Sequence, residues 1–98
     1  MDSMDTIQKL LLVILHSMVK DTDAVELHVS DQSDATGDFK LINVKVATRD
    51  LGVCIGKEGM TAEAIRRIIG VSGMEKLHTR IVVKIDAPRL AKNHYYTQ

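Results

Sequence analysis

Gly56-Lys57-Glu58-Gly59, two glycines separated by two residues, is the segment of this 98-residue chain best suited to chemistry. Glycines lack the Cβ that would hold a ligand away from the backbone. The apolar periodicity after the loop predicts a helix from Met60, whose first N–H groups are unpaired and carry a partial positive charge. Loop and helix start together make a seat for a phosphate, with Lys57 beside it. Two other phosphate loops are excluded by spacing. A P-loop has four residues between its glycines and Ser or Thr after its Lys, whereas Gly52 to Gly56 encloses three and Glu58 follows Lys57. The dinucleotide fingerprint needs a glycine where Cys54 stands.

The remaining reactive side chains are less promising. His16, His28, His78 and His94 have no metal-ligand spacing, so no metal and no cofactor is expected. Cys54 sits among Val53, Ile55 and Leu51, which reads as a buried structural thiol. No motif places a nucleophile beside a base or pairs two carboxylates, so no catalytic residue is assigned and the chain reads as a non-enzyme.

The elements that must position the loop follow from the apolar pattern. Asp5 and Gln8 match a capping box, and Ile7, Leu10, Leu11, Ile14, Leu15 and Met18 make one helical stripe ending near Lys20. Residues 24–30 alternate, with Val25, Leu27 and Val29 on one face, and read as a strand. The polar stretch from Asp31 to Asp38, closed by Gly37, reads as a turn or hairpin loop. A second strand is expected from Phe39 to Ala47, with Ile42, Val44 and Val46 facing the core, and a third over 79–86, with Ile81, Val83 and Ile85 inward. Between them lie the short apolar stretch Leu51–Ile55, the glycine loop, and a helix to about Ile69 with Ile65, Ile68 and Ile69 buried. Gly70 and Gly73 are placed to end that helix. The order α-β-β-α-α-β gives an α+β fold, a three-stranded sheet with three helices on one face. One domain spans 1–86, and 87–98 form a basic tail expected to be flexible, in which disorder outweighs base stacking for Tyr95 and Tyr96.

Composition narrows the class. Hydrophobic residues make up 45% of the chain, enough for one core without staples. A lone cysteine fits a reducing cytoplasm, the longest apolar run (Leu10–Leu15) is far short of a membrane span, and Asp2 and Asp5 argue against a signal peptide. The net charge is zero, but residues 1–38 hold eight acids against two bases, leaving −6, and residues 39–98 hold eleven bases against five acids, leaving +6. Such a division either solvates the surface or steers a polyanion to one end. Three aromatics are too few for RNA modules that work by stacking.

The run from Val53 through Gly56-Lys57-Glu58-Gly59 to Ile65 resembles the signature of KH domains, and the element order resembles their type II arrangement. The chain is most similar to small bacterial single-KH RNA-binding proteins, in element order over residues 5–86 and in motif from Leu51 to Ile69. The resemblance implies that Gly56, Lys57, Glu58 and Gly59 clamp the backbone of a short single-stranded RNA. It implies an apolar groove with Gly52, Val53 and Ile55 on the helix side and Val44 and Val46 on the strand side, Gly52 serving either close helix packing or passage of a base. Met60 follows the clamp, and Arg66 and Arg67 either solvate the helix or reach flanking phosphates. The family pattern favours a base after the loop. Met60 in its place, with Glu58 in the clamp and Glu63 nearby, implies weak binding or a need for a partner. The implied role is an RNA chaperone or post-transcriptional regulator, as a homodimer or paired with another RNA-binding protein. The alternative is a KH-fold protein-interaction module that binds RNA weakly or not at all.

Overall fold

The structure, a computed structural model, describes residues 2–87. The tail from Pro88, with His94, Tyr95 and Tyr96, lies outside the described residues. Six main elements run in the expected order: α1 (Ser3–His16), β1 (Glu26–Asp34), β2 (Gly37–Lys45), α2 (Leu51–Ile55), α3 (Met60–Leu77) and β3 (Arg80–Asp86). The fold is the α+β arrangement expected from the pattern.

The cap of α1 is Asp2 rather than Asp5. The Asp2 carboxylate accepts the Asp5 N–H at 2.8 Å, so Asp5 falls in the first turn, where its charge suits the helix dipole. The helix also stops a turn before Lys20. Asp50, far along the chain, accepts the N–H groups of Lys20 and Asp21 at 3.0 Å each and draws the backbone out of helical pairing.

The segment from Asp31 to Asp38 is the expected hairpin, but most of it is paired strand rather than loop. Asp31 lies opposite Lys40 and Asp34 opposite Gly37, leaving only Ala35 and Thr36 to turn the chain. Cross-strand charge compensates for poor strand propensity: Lys40 Nζ donates to Asp31 at 2.7 Å, and Arg80 Nη2 donates to both Asp34 oxygens at 2.9 and 3.0 Å. The Arg80 guanidinium also lies 4.5 Å from the Phe39 ring centre. Hydrogen bonds from Thr36, then from Arg80, hold the Asp34 carboxyl down at about 2.

β2 is the middle strand, antiparallel to β1 and parallel to β3, the parallel pair being joined by the α2–α3 crossover. In register, Leu27 faces Val44, and Ile42 and Val44 face Val83 and Ile85, so alternation collects these side chains on one face. The helices cover that face with Ile7, Leu11 and Leu15 from α1 and Ala62, Ile65 and Ile69 from α3.

Two expectations for α3 are corrected. It continues past Ile69 to Leu77 and ends at His78, a non-glycine residue in the left-handed region at φ 53°. Gly73 stays helical because α3 passes close to β3 there, where a Cβ would lie 2.6 Å from Ile81 Cδ1 and 2.8 Å from the Thr79 carbonyl. Ile68 is exposed, since the face toward the sheet runs through residues 62, 65, 69 and 73 and position 68 is about 100° off it.

The acidic half of the sequence is not gathered at one end. Asp31, Asp34 and Asp38 lie in the hairpin, whereas Asp21 joins Asp50 at the start of α2.

Candidate nucleic-acid interface

The loop is shaped by its glycines. Gly56 leaves α2 at φ 80°, ψ 171°, its N–H still donating to Gly52 O at 2.8 Å. The chain then turns through Lys57, Glu58 (φ 56°) and Gly59 (φ 78°), closed by the Gly59 N–H on Gly56 O at 3.1 Å. Only glycine fits at 56, because a Cβ would collide with Thr61 Oγ1 and lie 2.7 Å from Thr61 Cβ and 2.8 Å from Thr61 N. At Gly59 a Cβ would meet nothing within 4 Å, so that side of the loop is open. Lys57 and Glu58 are exposed, and no side chain caps the first turn of α3, which opens at the loop. The backbone N–H groups, the helix start and Lys57 thus share one small region.

On the helix side Gly52 and Val53 are exposed and Ile55 is half-buried. A Cβ at Gly52 would also meet nothing within 4 Å, which removes the close-packing reading of that glycine. Cys54 is buried, and burial first, then the nearby Asp50 carboxylate, pushes its thiol pKa up, as suits an inert core residue.

Val44 and Val46 cannot form the strand side of a groove. They are 0% and 1% exposed because β2 is the central strand and its inward face is core. β1 and β3 are the edge strands, and the edge beside α3 is that of β3. Asp86 O accepts from Val46 N, so by alternation the backbone groups of Val83 and Ile85 point outward. Arg66 reaches that edge, its Nε donating to Val83 O at 3.0 Å, and Arg67 Nε donates to Glu63 Oε2 at 3.2 Å. Both arginines are exposed, Arg66 tied to the strand edge and Arg67 in a surface ion pair. Glu58, Gly59, Met60 and Glu63 meet Ala64, Arg66 and Arg67 around an open groove of about 540 Å³ along α3. A hollow of about 690 Å³ at the hairpin end, lined by Asp31, Phe39 and Lys40, is remote from the loop, since β2 separates the two regions.

Asp50 has a role the pattern did not reveal. It is 2% exposed, and both its oxygens accept backbone N–H groups from the chain leaving α1. These two bonds hold its carboxyl below the usual range and fix the start of α2, and so the loop beyond. A single acid between an apolar strand and an apolar helix was the available signal. Among the described residues no group of His, Cys, Asp and Glu could hold a metal ion, and no helix is long and apolar enough to cross a membrane.

Comparison with known proteins agrees with this architecture. The family described as KhpA/KhpB, KH domain, matches residues 8–85. The RNA-binding protein KhpA of Clostridium acetobutylicum is 37% identical over 79 residues, which cover 80% of this chain and 97% of that protein. The protein of the same name from Streptococcus pneumoniae is 31% identical over 80 residues, 82% of this chain and 96% of its own. That from Caldanaerobacter subterraneus subsp. tengcongensis is 31% identical over 77 residues, 79% of this chain and 96% of its own. With its glycine loop between two short-linked helices and this match over most of its length, the chain belongs to the KhpA/KhpB family of KH domains.

Proposed function

We propose that this protein binds short single-stranded RNA, the strand's backbone held by Gly56, Lys57, Glu58 and Gly59 and its bases passing Gly52, Val53 and Ile55. The observation that carries this reading is the loop itself. Gly56 is forced against Thr61, Gly59 is open, and the uncapped start of α3 lies beside Lys57. The name RNA-binding protein, borne by the relatives, supports the same ligand. The role is a non-enzymatic, cytoplasmic one, as an RNA chaperone or post-transcriptional regulator. One four-nucleotide site binds weakly, so pairing with a second copy or another RNA-binding protein raises the effective concentration.

The alternative, a protein-interaction module, is favoured by one observation: Ile68, Val71 and Met74 on α3 and Val13 on α1 are large apolar side chains left exposed. Fluorescence anisotropy with labelled RNA separates the two. The native chain is expected to bind, and a folded Lys57→Asp/Glu58→Asp variant to lose binding. A log–log salt slope of about −1.4 to −2.1 would match two or three phosphates. Equal binding by both proteins would move the RNA away from the loop. No binding by either would leave the protein-interaction reading.

A further inference from the structure

The surroundings of the loop are wrong for phosphate alone. Glu58 lies within it and Glu63 one turn beyond, and each carboxylate repels a phosphate. Arg67 is bonded to Glu63, and Arg66 is anchored through Nε to the β3 edge. Yet these side chains are not scattered. They wall the open groove of about 540 Å³ that starts at Gly59. Met60, 66% exposed, and exposed Ala64 supply apolar surface in it. An apolar surface between carboxylate acceptors and guanidinium donors suits a flat, polar-edged ring better than a phosphate.

We infer that this groove is a nucleobase subsite next to the clamp and that it selects guanine. The inference rests on the loop being the RNA site. Guanine alone among the four RNA bases presents two adjacent donors, N1–H and the N2 amino group, which a carboxylate accepts together. Adenine and cytosine set an acceptor beside their amino group, and uracil has a single N–H between two carbonyls. Glu63 is the reader. Its Oε2 accepts from Arg67 in an exposed pair that orients the carboxylate, and its remaining lone pairs are left for the base. Arg66, held at Nε, keeps its Nη donors for the O6 and N7 side of a purine or for a neighbouring carbonyl. The acids that weaken phosphate capture thereby gain a purpose, since they exchange general affinity for discrimination.

The test uses the full chain and labelled hexauridine in which one position at a time is guanosine, inosine or adenosine. Guanosine at one position should tighten binding about tenfold over hexauridine, while inosine, which lacks the N2 amino group, should lose most of that gain. Glu63→Gln replaces one acceptor by a donor and removes a negative charge. It should bind hexauridine more tightly yet show no guanosine preference, with its melting curve checking the fold. Arg67→Lys, which loosens the direction of Glu63, should lower the preference as well. Equal binding of guanosine and inosine oligomers, or a Glu63→Gln variant that gains affinity uniformly and keeps its preference, would overturn the subsite while leaving the clamp intact. No binding to any oligomer would overturn both readings.

Discussion

Three glycines close to the loop have different physical reasons to be there. Gly56 needs both its positive φ and the missing Cβ, because Thr61 occupies the space. Gly56→Ala should therefore cost about 1–3 kcal/mol of stability, read as a lower urea midpoint, and weaken RNA binding with it. Gly59 needs the positive φ but faces open space, and Gly52 needs neither. Ala is the better helix former, so Gly52→Ala should raise stability by about 0.5–1 kcal/mol. If bases pass over α2 at that point, the same variant should bind RNA more weakly in anisotropy titrations. A stabilised variant with unchanged affinity would take Gly52 out of the groove.

Among the elements, the junction between α1 and α2 depends on one buried carboxylate. Asp50 satisfies the Lys20 and Asp21 N–H groups, which α1 leaves unpaired where it ends. In Asp50→Asn one oxygen becomes a donor facing a donor, so the thermal midpoint should fall by several degrees. Because the folded carboxyl titrates below its ordinary value of 3.8, its contribution is present above that pH. It is lost as pH falls through the lower folded value. Asp34, held at about 2 in the hairpin, adds to the same acid loss. Stability measured between pH 6 and pH 2 should thus decline more steeply in the native chain than in Asp50→Asn. Parallel declines would show that the Asp50 charge contributes nothing to the junction.

For the molecule as a whole, the open question is what lies against its helices. α1 and α3 cover the sheet, yet Val13, Ile68, Val71 and Met74 remain exposed on their outer surfaces. If the protein works as a pair, this is apolar surface available for the contact. Val71→Glu should then shift the mass measured by light scattering from dimer to monomer without changing the helical circular dichroism. An unchanged dimer mass would put the contact elsewhere.

Much was determined by local pattern. The order of elements, the inward faces of β2 and β3, the buried Cys54 and the glycine loop between two helices follow from periodicity and spacing, which act over a few residues; in β1, Leu27 is half-buried and Val29 is exposed. Tertiary structure decided what depends on partners distant in sequence. Lys40 and Arg80 turned the polar stretch from Asp31 to Asp34 into strand. Close approach to β3 explains the glycine within α3 at position 73, where a helix stop was expected. The central place of β2 buried Val44 and Val46, which the family resemblance implied for the groove, and left β1 and β3 as edges. Arg66 and Arg67 read as two like cations in the sequence, and only folding tied one to a strand carbonyl and the other to Glu63. Hydrophobic periodicity states which face of an element is buried. It is silent on which element lies opposite, because that depends on contacts across the whole chain.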